Sequence, residues 1–194
     1  MSKNIVLCGV GGQGTVLASK LISAAAMQKG IPVMSAETIG MAQRGGSVFS
    51  HIRMGEDVFS PMIAKGTADM ILAFEPGEAV RMLPYLKKDG QVVVSSHPVV
   101  PVTASLGAKY DATEMIDYLK ANVANLLVID GNKACSDVGS FKVLNLIMLG
   151  AALSTGALGF SEDEIREQIL KKIPSKFHEL NFTALDYVKT HSIN

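Results

Sequence analysis

Hydrophobic and polar positions change period repeatedly along the chain, and each change marks an element. Residues 4–8 form a short unbroken apolar run closed by glycines, the pattern of a strand buried on both faces. From Thr15 the apolar positions Val16, Leu17, Leu21, Ile22, Ala25 and Ala26 recur at helical spacing until Gly30 and Pro32 end the run. Residues 32–36 read as a second strand, which predicts an opening β-α-β unit with a right-handed crossover. Residues 47–54 then alternate Val48, Ser50 and Ile52 against Phe49, His51 and Arg53. With a turn at Gly55 and a continuation through Val58 and Phe59, this stretch reads as hairpin-like and predicts a mixed sheet.

Further along, strands are predicted at 69–74, 91–95 and 126–130, with helices at 76–86 and 111–123. An apolar helix is predicted at 141–157. Ser161 followed by Glu164 is a capping box that opens a helix to about Lys172, Pro174 stops it, and 177–189 makes a last helix. No internal repeat, low-complexity stretch or linker divides the chain. The expected fold is α/β: a single three-layer Rossmann-like domain over residues 1–194, with a mixed, mainly parallel sheet and a C-terminal helical segment.

The chain has 194 residues, 48% hydrophobic and 19% charged, which suffices for one substantial core. Formal net charge is zero and the basic residues are scattered, so no footprint for nucleic acid or an anionic membrane is present. The absence of a long apolar run and of a signal-like N-terminus predicts a cytoplasmic protein. Two cysteines, Cys8 and Cys135, cannot supply a four-thiolate cluster, and the histidines show no metal spacing, so no metal site is expected. Cys8 is expected to be inert core, and Cys135 to be more exposed. Ten methionines and no tryptophan suit a chain that hides part of its surface in a partner, and equally a Met-rich core.

The first candidate site is Gly9-Val10-Gly11-Gly12-Gln13-Gly14, a G-x-G-x-x-G loop placed between a strand and a helix. Glycines let the backbone approach a phosphate, and the helix N-terminus offers free N–H groups and the positive end of its dipole. With Glu37 as acceptor for a ribose hydroxyl, these residues read as a dinucleotide fingerprint, which leaves a stand-alone NAD(P)-binding enzyme or nucleotide sensor open. A tight turn that needs glycines whatever it binds is the other reading. Gln13 has two readings as well, a ligand contact or a cap for the following helix.

The second candidate is the stretch Glu37-Thr38-Ile39-Gly40-Met41-Ala42-Gln43-Arg44-Gly45-Gly46-Ser47-Val48, followed by Ser50-His51-Ile52-Arg53 and by Ser60-Pro61. Together with the glycine loop and the run from Ala68 through Glu75-Pro76-Gly77-Glu78 to Ala79, it resembles the gamma-type subunits of 2-oxoacid:ferredoxin oxidoreductases. Met-x-Gln-Arg before the turn, with Ser-x-Ile-Arg and Ser-Pro after it, resembles the arylpyruvate (indolepyruvate) branch. The resemblance is strong over residues 4–86 and weaker beyond.

It implies an oxidoreductase subunit that is inactive alone and acts in CoA-dependent oxidative decarboxylation. By the same resemblance a larger partner subunit carries thiamine diphosphate and 4Fe-4S clusters and passes electrons to ferredoxin, and this chain helps to hold coenzyme A. Ligand contacts, to coenzyme A or to a partner-held cofactor, are then expected from Gly9, Gly11, Gly12, Gln13, Gly14, Arg44, Gly45, Gly46 and Ser47. Arg44 would meet a phosphate or carboxylate with its guanidinium, or else tie down its own loop. His51 and Arg53, two apart on one strand face, are candidates for the subunit interface, or for a solvated face. No catalytic residue is assignable, and a purely structural subunit without ligand contact stays open.

Overall fold

The computed structural model describes residues 2–38, 46–100 and 109–191. Its centre is a six-stranded sheet in the order β2-β3-β1-β4-β5-β6. The strands are β1 (Lys3–Val10), β2 (Val33–Glu37), β3 (Ser47–Met54), β4 (Ala68–Ala73), β5 (Leu86–Ser95) and β6 (Asn125–Ile129). β1, β4, β5 and β6 pair in parallel, whereas β3 runs antiparallel to both β1 and β2. The sheet is therefore mixed and mainly parallel, as the sequence predicts.

The described helices are α1 (Thr15–Gln28), α2 (Pro76–Met82), α3 (Ala112–Asn122), α4 (Gly131–Val138), α5 (Leu144–Ser154), α6 (Glu162–Lys172) and α7 (His178–Thr190). None is long and apolar enough to cross a membrane. Alternation along β1 sorts the core into two layers. Ile5 and Leu7 face a cluster built with α1, α4, α5, α6 and α7, while Val6 and Cys8 face a smaller one built with α2 and α3. Because β1 is covered on both sides, it carries no polar alternation. α5 is buried nearly all round and crosses α7 at Gly150, where a Cβ would collide with the Leu185 carbonyl.

Caps set most helix starts. Ser161 and Glu164 form the anticipated capping box of α6, Asp111 caps α3, and Asp130 caps α4 by accepting from Lys133 N at 2.9 Å. Within α6 and α7, Arg166 joins Glu162 at 2.8 Å and also Asp186, and stacks 4.9 Å from the Phe182 ring.

Four points of the sequence reading need correction. β3 has no hairpin partner at residues 58–59, because Arg53 holds the following loop as irregular chain, donating through Nη1 to Ser60 O at 3.0 Å. β3 instead inserts between β2 and β1. Gly131–Val138 is a helix that its composition hides, since Gly, Asn, Ser and Asp are poor helix interiors; Asp130 starts it and Gly139, at φ 83°, ends it. Within that helix Cys135 is only 1% exposed, not the accessible thiol expected. The helix predicted to begin at 76 ends at Met82, and Pro84 sits in a short 3-10 turn after it.

Candidate functional site

The chain leaves β1 toward β2 and β3 on one side and later returns to β4, β5 and β6 on the other. The carboxyl ends of β1 and β4 therefore flank the point where the winding reverses, the usual place of a ligand crevice in such sheets. The Gly9–Gly14 loop lies at one lip and Phe74-Glu75 at the other.

The loop is held by its own chemistry. Gln13 N donates back to Val10 O at 3.1 Å, closing a tight turn. The Gln13 side chain spans the two lips: Oε1 accepts from Val10 N at 2.7 Å, and Nε2 donates to Phe74 O at 2.9 Å. Both of its ends are thus occupied within the chain, and it does not cap α1. Gly9 is required for this arrangement, because a Cβ there would sit 2.7 Å from Gln13 Oε1.

Gly14, at φ 83°, is the residue before α1, and its Cβ would meet Asn145 Nδ2 at 2.7 Å. Gly12 differs. At φ 100° it has nothing within 4 Å of a would-be Cβ, so its backbone faces open space. That space is a cavity of about 310 Å³ lined by Val10, Gly11, Gly12, Thr15, Val16 and Val48. Thr15, Val16 and Leu17 are the first turn of α1, where backbone N–H groups lack helical partners, and no acidic side chain lies there. The donor set suits an anion such as a phosphate.

Gly46 and Ser47 join this loop to the rest of the site. Gly11 N donates to Gly46 O at 2.9 Å, and Ser47 Oγ donates to Glu78 Oε2 at 2.6 Å. Glu78 is buried on α2, and its N–H donates to Glu75 Oε2 at 2.9 Å. Glu75 is 2% exposed and also accepts from the Tyr110 hydroxyl. Burial pushes its carboxyl up to about 7, with the neighbouring Glu78 adding in the same direction and backbone N–H donors opposing. Arg44 and Gly45 lie outside the described residues.

His51 is buried within the chain, between the rings of Phe49 and Tyr85, with centroids at 5.4 and 5.2 Å. Its Nδ1 accepts from Ile63 N at 3.1 Å, and burial lowers its pKa. Arg53 lies on the same face, as the spacing predicts, but its guanidinium is engaged by Asn4 Oδ1 and Ser60 O. His51 is thus enclosed by its own chain, while Arg53 stays partly exposed with its guanidinium held in place.

Glu37 does not complete a dinucleotide site. β3 separates β2 from β1, which sets Glu37 two strand spacings, about 9–10 Å, from the strand that carries the glycine loop. Among the described residues no group of His, Cys, Asp and Glu is placed to hold a metal ion. Cys8 and Cys135 lie in different core layers, and burial raises both thiols, Cys135 to about 11. These residues do not fit an iron–sulfur cluster.

Residues that the motif reading assigned no role, Glu75, Glu78 and Asn145, prove central to the site's construction. Asn145 was legible as the lone amide in the apolar run of α5, and its Oδ1 is buried beside Gly14 without a partner.

The model of the pyruvate ferredoxin/flavodoxin oxidoreductase family matches residues 4–189. The chain belongs to that family. It is 38% identical over 186 residues to the indolepyruvate oxidoreductase subunit IorB of Pyrococcus horikoshii, covering 94% of this chain and 92% of that protein. Among solved structures, the gamma subunit of keto/oxoacid ferredoxin oxidoreductase from Geobacter sulfurreducens superposes with TM-score 0.67 at 24% identity, over 95% of each chain. The 2-oxoglutarate:ferredoxin oxidoreductase of Magnetococcus marinus, solved with 2-oxoglutarate, coenzyme A and succinyl-CoA bound, superposes with TM-score 0.72 at 18% identity. It covers all of this chain but 32% of its own, so there the fold is one part of a longer polypeptide. Within this oxidoreductase family the chain is a small subunit of a multi-subunit complex.

Proposed function

We propose that the chain, as one gamma-type domain, is the small subunit of a cytoplasmic indolepyruvate-oxidising complex. The overall reaction takes an arylpyruvate anion, coenzyme A and two oxidised ferredoxins to an arylacetyl-CoA, carbon dioxide, a proton and two reduced ferredoxins. The larger subunit holds the thiamine diphosphate, which supplies the carbanion chemistry of decarboxylation, and the iron–sulfur clusters. Two buried cysteines in separate layers leave no cluster to this chain.

The observation that carries the chain's own part is the open cradle at Gly12. Its backbone is free of neighbours, and the first turn of α1 points unpaired N–H groups at a cavity beside it. The cradle binds an anionic end of coenzyme A, and Val16 and Val48 give it an apolar wall. Gln13 fixes the two lips, while Glu78 holds Ser47 at the start of β3 and Gly46 meets the loop through Gly11 N. Positioning is the contribution, so the isolated chain is inactive.

The substrate assignment rests on the indolepyruvate relative and on the Met-x-Gln-Arg and Ser-x-Ile-Arg marks. The test is viologen reduction by the anaerobically purified complex with indolepyruvate, phenylpyruvate, pyruvate and 2-oxoglutarate, each with and without coenzyme A. The expected result is CoA-dependent reduction with kcat/KM highest for the two arylpyruvates. A preference for pyruvate or 2-oxoglutarate would overturn the assignment.

A further inference from the structure

β2 ends the sheet, and its register decides which backbone groups face outward. Gly55 N donates to Pro32 O at 3.0 Å, and Thr38 N donates to Phe49 O at 2.9 Å. Counting along the antiparallel register between those bonds, Met34 opposite Arg53 and Ala36 opposite His51 are the hydrogen-bonded pairs. The intervening residues Val33, Ser35 and Glu37 therefore turn both N–H and C=O away from β3. Among the described residues no strand pairs with that edge. Two of the usual protections are missing as well, since Val33–Glu37 contains neither lysine nor proline, although the strand is short and carries Glu37.

The same residues also share a side-chain face. Ser35 and Glu37 line a cavity of about 570 Å³ with Ser19, Ser23, Lys20 and Lys172. Ser19 is 1% exposed, yet the hydroxyls of Ser19 and Ser23 are buried with no hydrogen-bond partner. Unpaired buried hydroxyls in a groove, beside an array of unpaired backbone groups, ask for one occupant that satisfies both. A polypeptide in extended form matches the array, since its donors and acceptors repeat every two residues, about 6.8 Å.

We propose that the outer edge of β2 accepts an extended segment of the larger subunit as a seventh strand. Its alternate side chains on the α1 side are acidic or amide. They meet Lys20 and Lys172, which pair with no carboxylate among the described residues, and the hydroxyls of Ser19 and Ser23. A second copy of β2 suits the groove poorly, because its own alternate residues, Val33, Ser35 and Glu37, bring a single carboxylate. Main-chain bonds supply affinity and the groove supplies selectivity, the division of labour in strand addition. The inference rests on assembly with a larger subunit as proposed above.

The test is Ser35→Pro in the full chain, with Ser35→Ala as control. Proline at 35 removes an outward N–H and leaves the β3 ladder intact, so the isolated variant is expected to unfold at the wild-type midpoint. Its affinity for the larger subunit is expected to fall by about tenfold or more, whereas Ser35→Ala stays within about threefold. Hydrogen exchange resolved to single amides gives the second readout. Val33, Ser35 and Glu37 exchange fast in the isolated chain and slowly in the complex, while Met34 and Ala36 are slow in both.

Wild-type chain that assembles, with Ser35→Pro assembling equally well, overturns the docking edge alone. Odd-numbered amides already protected in the isolated chain at low concentration, or protected only as the chain dimerises, also overturn it. Failure of the wild-type chain to bind the larger subunit overturns the assembly reading and this inference together.

Discussion

Replacing Gln13 by alanine probes whether this side chain is a strut or a ligand contact. The substitution deletes two hydrogen bonds, from Val10 N at 2.7 Å and to Phe74 O at 2.9 Å, and leaves one donor and one acceptor unpaired in a partly buried place. Each lost bond costs about 1 kcal/mol, and more where water does not replace it, so the pair is worth about 2–3 kcal/mol. For a chain of this size that is about 4–12 °C in unfolding midpoint. Urea unfolding of the isolated chain measures it, with an unchanged m-value confirming that stability alone has moved. Gln13→Glu sharpens the test. It keeps the acceptor for Val10 N but aims a carboxylate oxygen at the Phe74 carbonyl, so it is expected to destabilise at least as much at neutral pH and to recover as the pH falls. A Gln13→Ala chain within about 0.5 kcal/mol of wild type would refute the strut. So would unchanged stability with a large rise in KM for coenzyme A.

The glycines separate cleanly: Gly14→Ala forces a side chain onto φ 83° and onto Asn145, costing about 3 kcal/mol in urea unfolding. Gly12→Ala meets no atom; it is expected to cost about 1–2 kcal/mol but to raise KM for coenzyme A at least about tenfold in the complex, with little change for the oxoacid. Glu75 sets a pH dependence. Its folded value of about 7 exceeds 4.5, so below pH 4.5 it costs nothing. Between 4.5 and 7 the unfolded chain ionises first and stability falls, by at most about 3 kcal/mol above pH 7. Glu75→Gln, measured by unfolding at pH 5 and pH 8, should remove that slope. Glu162 acts oppositely: against the opposing effect of its partial burial, hydrogen bonding with Asp186, Lys189 and Arg166 pulls it to about 2, so its contribution is present above 4.5 and is lost as the pH falls toward 2, which acid titration of Arg166→Ala should show diminished. Both thiols are buried, so a disulfide reagent at pH 8 should find none reactive in the native chain and two after denaturation.

Which parts of this were legible follows from where each signal resides. β1 and α1 announce themselves because burial on both faces, or on one helical stripe, is written in consecutive residues. The capping box of α6 is likewise local. The place of β3 is not: alternation identifies a strand but not its neighbours, and only the folded register shows Ser50 facing Leu7 on one side and Glu37 on the other. That insertion decides the chemistry, since it moves Glu37 away from the glycine loop and turns a dinucleotide fingerprint into something else. The glycines were legible as a loop, but not their separate duties, with Gly9 and Gly14 packed against side chains and Gly12 open. Glu75 and Glu78 stood in plain view before and within α2, yet a carboxylate's burial depends on Tyr110 and Ser47, distant in sequence. Cys135 misled because small polar neighbours suggest a loop, whereas Asp130 and Gly139 bracket a helix that turns the thiol inward.

Reconstitution tests the central claim most directly. The larger subunit, anaerobically loaded with thiamine diphosphate and its clusters, is assayed for indolepyruvate- and CoA-dependent viologen reduction while this chain is titrated in. Activity should be negligible without the chain, rise to a plateau at a fixed stoichiometry, and stay absent for the chain alone. Full activity of the larger subunit without the chain, or a titration that leaves the rate unchanged, would contradict the account.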